Sequence, residues 1–263
     1  MVNNCLDDNA QTIQQGEFRR YFEADPMFVG ITHELEASFN MANLLKTFRH
    51  GKRGGILVNI AHRKSTKQNG AKFGYFPFER AWVVTTTGEE TLSLAEYLGI
   101  TKTIRILDIE ETTDFLIEEG FVSPDDRGDI IRSQFRSAVF SPAVLAYLLT
   151  KGEGEIPHIS QPIRKVPEIV GSVCWVDNFG NLKLAKTADK FEGLKPGTSI
   201  GTEMSYFTSR HLPYYPHLSL VPHNQAAITR GSSGVGTHHL LELVIKGLSA
   251  AKAFGLKVGD KII

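Results

Sequence analysis

Three prolines, Pro157, Pro162 and Pro167, fall within a stretch of the chain that has no hydrophobic periodicity. They divide it into two regions of different character. Before them, strand-like and helix-like segments alternate. Met27–Thr32 reads as a strand, and Asn40–Phe48 as a helix with Met41, Leu44, Leu45 and Phe48 at helical spacing. Gly55–Ala61, Phe73–Phe76, Ala81–Thr86 and Thr103–Ile109 read as strands. Thr91–Leu98 reads as a helix stopped by Gly99, and Ser141–Leu149 as a helix with Ser141 at its N-cap and Pro142 in its first position. Such alternation predicts an α/β domain with a mostly parallel sheet. After the prolines almost everything is strand and turn, with helix only near Leu248–Phe254, which predicts an antiparallel β-domain. The expected division is an N-terminal α/β domain over 1–160 and a C-terminal β-domain over 168–263.

The bulk properties narrow the function classes. Basic and acidic residues number 29 each, for a formal net charge of +0, which argues against nucleic acid as the main partner. The two cysteines, Cys5 and Cys174, form neither a disulfide framework nor a zinc ligand set, and a cytoplasmic setting is the expectation. The N-terminus lacks the regions of a signal peptide, and no apolar run reaches membrane-spanning length, so no membrane partner is expected. His211, His217, His223, His238 and His239 make no metal spacing with a Cys or a carboxylate, and His211–His217 reads as an irregular aromatic loop. No metal and no cofactor is expected.

Four places carry chemistry. Asp177-Asn-Phe-Gly-Asn181 lies between two strand-like runs. It reads either as a hairpin turn or as a carboxylate, two amides and an exposed aromatic that hold an ammonium, pair with a purine edge and stack on a flat ring. Gly231-Ser-Ser-Gly-Val-Gly236 lacks the lysine of a P-loop and reads as a flexible hairpin loop, or as a nest of N–H groups and hydroxyls (Ser232, Ser233) for a carboxylate. If Val2–Cys5 is the first strand, Asp7 and Asp8 emerge at its C-terminal end, where α/β sheets place ligands. His62 and Arg63 end the strand at Ala61, and Thr85–Gly88, including Thr87, end the strand at Val84. These three ends converge on one crevice if the strands are neighbours.

Five segments in order resemble the S-adenosylmethionine hydroxide adenosyltransferases, relatives of the fluorinases and chlorinases. Asp25–Leu35 resembles the family's second strand, and Met41–Leu45 falls on its first long helix. Phe140-Ser-Pro142 is similar to the start of the helix after its catalytic loop, and Trp175–Leu182 to its Ile-Asp-x-Phe-Gly-Asn-Leu turn. Leu241-Glu-Leu243, Ala250-Ala251 and Gly255–Asp260 match its C-terminus without a gap. The resemblance implies a homotrimer. S-adenosylmethionine would lie between the N-domain of one subunit and the C-domain of its neighbour, and water or halide would attack the ribose C5′ atom and release methionine.

It also implies roles. Phe179 would stack on adenine and Asn181 pair with its edge. Asp177 would hold the methionine ammonium, and Ser232 or Ser233 its carboxylate. Asp8 and Thr87 would bind from the N-domain crevice. The chain departs from the family at the nucleophile end. The ribose-gripping Asp is Asn3, with Asp8 five residues on, and Asp-Pro-Gly-Val-Gly is replaced at about His62–Thr66. Pro-Asp-Asn-Gly is Thr85–Gly88, Phe-His-Gly-Arg-Asp is Gln134–Ala138, and Val235–His239 is additional. The best substitutes are His62 as general base and Arg136 as its electrostatic partner. The expected function is S-adenosylmethionine binding, with hydrolysis to adenosine and methionine. The alternative is a non-catalytic trimeric sensor or scaffold for an adenosine compound.

Overall fold

The computed structural model describes residues 1–5, 7–48, 53–60, 71–132, 136–203 and 211–263. The first region contributes β1 (Val2–Asn3), α1 (Asp8–Arg19), β2 (Val29–Gly30), α2 (Glu34–Leu45), β3 (Gly54–Asn59), β4 (Phe73–Phe78), β5 (Ala81–Thr86) and α3 (Glu89–Tyr97). It continues with β6 (Thr103–Leu107), α4 (Ile109–Glu118), α5 (Arg127–Arg132), α6 (Arg136–Lys151) and β7 (Ile159–Pro162). The second contributes β8 (Val173–Val176), β9 (Leu182–Thr187), β10 (Thr198–Gly201), β11 (His211–Tyr215), β12 (Ala226–Val235), β13 (His238–Ile245) and α7 (Ala250–Phe254).

The expected fold class is borne out. The N-terminal sheet has the order β2-β1-β3-β5-β4-β6-β7. Strands β2, β1, β3 and β5 run parallel, while β4, β6 and β7 each pair antiparallel with their neighbours. The antiparallel half follows from the short connection between β4 and β5: Glu79 adopts φ 52° there, which turns the chain straight back. The C-terminal sheet has the order β10-β11-β12-β13-β9-β8 and is antiparallel except between β11 and β12.

Several elements differ from the sequence expectation, each for a local reason. Helix α2 starts at Glu34 rather than Asn40 because His33 caps it: its Nδ1 accepts from the Leu35 N–H (3.1 Å), while the Glu36 carboxylate accepts from the His33 N–H (2.9 Å). Helix α6 starts at Arg136, so Pro142 lies inside it instead of opening it. An internal proline costs about 3 kcal/mol. Burial of Ala138, Phe140, Val144, Leu145 and Leu148 offsets that cost, since each fully buried large aliphatic or aromatic side chain contributes roughly 1.5–3 kcal/mol. His211–Tyr215 forms β11, with Tyr214 buried, not an irregular loop. Gly231–Val235 belongs to β12 and carries a β-bulge, not a flexible hairpin loop. Helices α1, α4 and α5 go beyond the expected set.

The two sheets meet across α2. Its Leu35, Phe39 and Ala42 join Cys174, Ala185, Val235 and Leu240 of the C-terminal sheet in one buried cluster. The Phe39 and Trp175 rings stack at 5.9 Å with 8° between their planes. Among the described residues, no helix is long and apolar enough to cross a membrane.

Candidate functional site

The turn between β8 and β9 is built around one carboxylate. Asp177 Oδ1 accepts from the N–H groups of Phe179 (3.0 Å) and Asn181 (2.9 Å). Its Oδ2 accepts from the Asn181 side-chain amide (3.1 Å) and faces Lys183 Nζ at 3.1 Å. Gly180 closes the turn at φ 80°, where a Cβ would lie 1.9 Å from Ser249 Oγ, so only glycine fits between the turn and the start of α7. This scaffold pushes the Phe179 ring outward to 79% exposure. A largely exposed phenylalanine on a turn held by these bonds is a flat apolar platform offered to solvent. One of the two N–H donors of the Asn181 amide is used inside the turn.

Lys183 and Glu242, which the sequence expectation did not single out, connect this turn to the bulge of β12. Lys183 is 8% exposed and lies 2.7 Å from the Glu242 carboxylate, itself 7% exposed. Glu242 rests against Gly231, where a Cβ would come within 2.3 Å of its Oε1. The bulge carries Ser232, exposed, and Ser233, buried. The Ser232 carbonyl accepts from Lys46 Nζ at the end of α2, and the Gly231 carbonyl from His239 Nδ1 (3.2 Å). Burial, with Arg230 next, lowers the His239 pKa, so its ring stays neutral at neutral pH. Asp177 and the Ser232–Ser233 bulge are thus brought into one connected arrangement. The sequence signal for its linkers is a Lys in Leu182–Ala185 and a Glu in Leu240–Ile245, charges inside otherwise apolar strands.

At the other sheet, β1, β3 and β5 are adjacent and parallel, so their C-terminal ends lie side by side. Their crest is a buried polar layer. Asn3 Nδ2 donates to Gln14 Oε1 (2.7 Å) and to the Cys5 carbonyl (3.0 Å), and its Oδ1 accepts from the Cys5 N–H (2.8 Å). The Ile60 N–H donates to Thr86 Oγ1 (3.1 Å). Asp8 is exposed in the first turn of α1, just after the N-cap Asp7. Thr87 is half-buried and donates both its N–H (2.9 Å) and its hydroxyl (3.2 Å) to the Lys72 carbonyl.

Arg136 opens α6 and lines a cleft of about 740 Å³ together with Lys72, Leu107, Asp108 and His158. Burial lowers its pKa. His158, also beyond the sequence expectation, is held by the Tyr75 hydroxyl at 3.2 Å. His62, the expected base, lies outside the described residues, as do Gln134 and Phe135. Among the described residues no group of three or more His, Cys, Asp or Glu side chains could hold a metal ion.

The α/β region packs through α2 and α3 against a β-region that carries an aromatic turn and a serine-bearing bulge. Residues 171–263 match the model of the SAM hydroxide adenosyltransferase C-terminal domain, which bears out the family resemblance over that region. Two solved structures extend the likeness in fold. An uncharacterized conserved protein from Thermotoga maritima aligns over 99% of this chain and 96% of its own, with a TM-score of 0.66 and 15% identity. A conserved hypothetical protein from Thermus thermophilus aligns over 100% and 97%, with a TM-score of 0.59 and 19% identity. At these identities both show the fold alone. No curated protein is significantly similar in sequence.

Proposed function

We propose that the protein binds S-adenosylmethionine through its adenosine end and hydrolyses it to adenosine and methionine. The observation that carries this reading is the Phe179 platform, 79% exposed on a turn that Asp177 fixes from beneath, within a region matching the SAM hydroxide adenosyltransferase C-terminal domain. Phe179 stacks on the adenine and Asn181 meets its edge. The N-domain crest faces the same ligand in a homotrimer, with Asp8 and Thr87 at its rim.

In the reaction a water oxygen bonds to C5′ as the C5′–S bond breaks. Sulfur leaves with the electron pair as neutral methionine thioether, and the water proton passes to a base. The sulfonium already activates its leaving group, so the protein has to position and partly desolvate the water. His62 is the proposed base and Arg136 the group that holds the nucleophile. An Arg beside a His also lowers the basicity of that His, so slow turnover is expected. Incubation with S-adenosylmethionine followed by chromatography tests this: adenosine and methionine appear together if it holds, and neither appears above the protein-free control if it does not.

One observation favours a second reading, a non-catalytic sensor of an adenosine compound. Asn3 stands where the family places its ribose-gripping carboxylate, and its amide is committed to Gln14 and Cys5. Ligand binding without product formation in the same assay supports that reading.

A further inference from the structure

We infer that Lys183 occupies, from inside the protein, the place on Asp177 that a ligand's ammonium group would take, and that the site therefore selects the adenosine moiety and gains nothing from an α-amino-acid tail. The inference rests on the adenosine reading above and specifies its ligand class.

A carboxylate offers about four lone-pair positions. On Asp177 all four have donors: the N–H groups of Phe179 and Asn181 on Oδ1, and the Asn181 amide and Lys183 ammonium on Oδ2. An incoming ammonium must displace one of them. The two backbone donors define the turn and cannot leave without opening it, and the Asn181 amide is neutral. Only Lys183 is a separable cation, and it is pinned from its other side. Its Nζ lies 2.7 Å from Glu242, and both side chains are about nine-tenths buried. Gly231 lies against one side of the Glu242 carboxylate, where a Cβ would come within 2.3 Å of its Oε1. Displacing Lys183 would leave Glu242 buried without its cation, which is strongly unfavourable. Lys183 thus acts as a positioning and specificity residue through Asp177, while the exposed Phe179 ring remains open to any adenine.

The test uses two compounds that differ only in the tail: 5′-methylthioadenosine, and S-adenosylhomocysteine, which adds the amino-acid group. Calorimetry on the full chain should give dissociation constants within about 3-fold of each other. A Lys183→Met, Glu242→Gln double variant removes the internal cation together with its second carboxylate, leaving Asp177 in place. It should shift the ratio by about 10-fold or more toward S-adenosylhomocysteine, a change equivalent to roughly 1.4 kcal/mol. Lys183→Arg, which keeps the charge, should hold the original ratio. A structural defect would weaken both compounds together and leave the ratio unmoved. If the double variant does not fold, the unmodified protein and Lys183→Arg still decide the matter. Binding of S-adenosylhomocysteine 10-fold or more tighter by the unmodified protein overturns the role of Lys183 while leaving the adenosine reading intact. Absence of heat with both compounds overturns the adenosine reading and this inference with it.

Discussion

The ring of Phe39 lies flat against that of Trp175, 5.9 Å between centroids and 8° from parallel, and this contact joins α2 to the first strand of the C-terminal sheet. Phe39 is 3% exposed and sits in the apolar cluster shared by the two sheets. Phe39→Ala should therefore destabilise the protein by about 3–5 kcal/mol, the usual cost of removing a buried aromatic ring. Thermal unfolding followed by circular dichroism should show a loss of roughly 2–4 °C per kcal/mol. An unchanged midpoint would mean that the two sheets are not joined through this contact.

Phe179→Ala should behave oppositely. The ring is exposed, so the midpoint should not move, whereas the affinity for an adenosine compound should fall by about 1–3 kcal/mol, the contribution of one base stacking on an aromatic side chain. Calorimetry on the variant separates the two effects.

Asp177 gives the protein an acid-sensitive element. Burial alone would raise its pKa. The Asn181 N–H, the Lys183 ammonium and the Asn181 amide outweigh that effect, and the net shift is downward. The unfolded chain, with an aspartate pKa of about 3.9, then binds more protons than the folded one in the window between the two values. The stabilisation is fully present above about pH 4 and is lost as pH falls through the folded value. Urea midpoints of the unmodified protein and Asp177→Asn should differ at pH 7 and converge below about pH 4. A gap that stays constant with pH would contradict this account of the turn.

Arg136→Ala and His62→Ala should each lower any hydrolytic rate by on the order of 10²-fold with ligand binding nearly intact. Single-turnover rates with S-adenosylmethionine measure this directly, and unchanged rates in both variants would place the chemistry elsewhere.

The layered architecture was legible because it is written in periodicity: alternation up to Pro157, then strands and turns. The Asp177 turn was legible because its glycine and amides have a conformational meaning that sequence carries. The early start of α2 was hidden because His33, an unusual N-cap, does the work of a serine. The run of α6 through Pro142 was hidden because burial outweighs the local penalty. The bulge at Gly231 read as a loop because glycine marks both, and the Lys183–Glu242 pair was missed because two residues 59 positions apart in sequence meet only through the pairing of β9 with β13. Apart from the His33 cap, which is local, tertiary packing and strand pairing made these choices.

The most direct measurement is titration calorimetry of the unmodified protein with S-adenosylmethionine, S-adenosylhomocysteine and adenosine. Saturable heat with adenosine compounds, abolished or strongly weakened in Phe179→Ala, is the predicted result. No heat with any of the three would contradict the claim that this turn is an adenosine site.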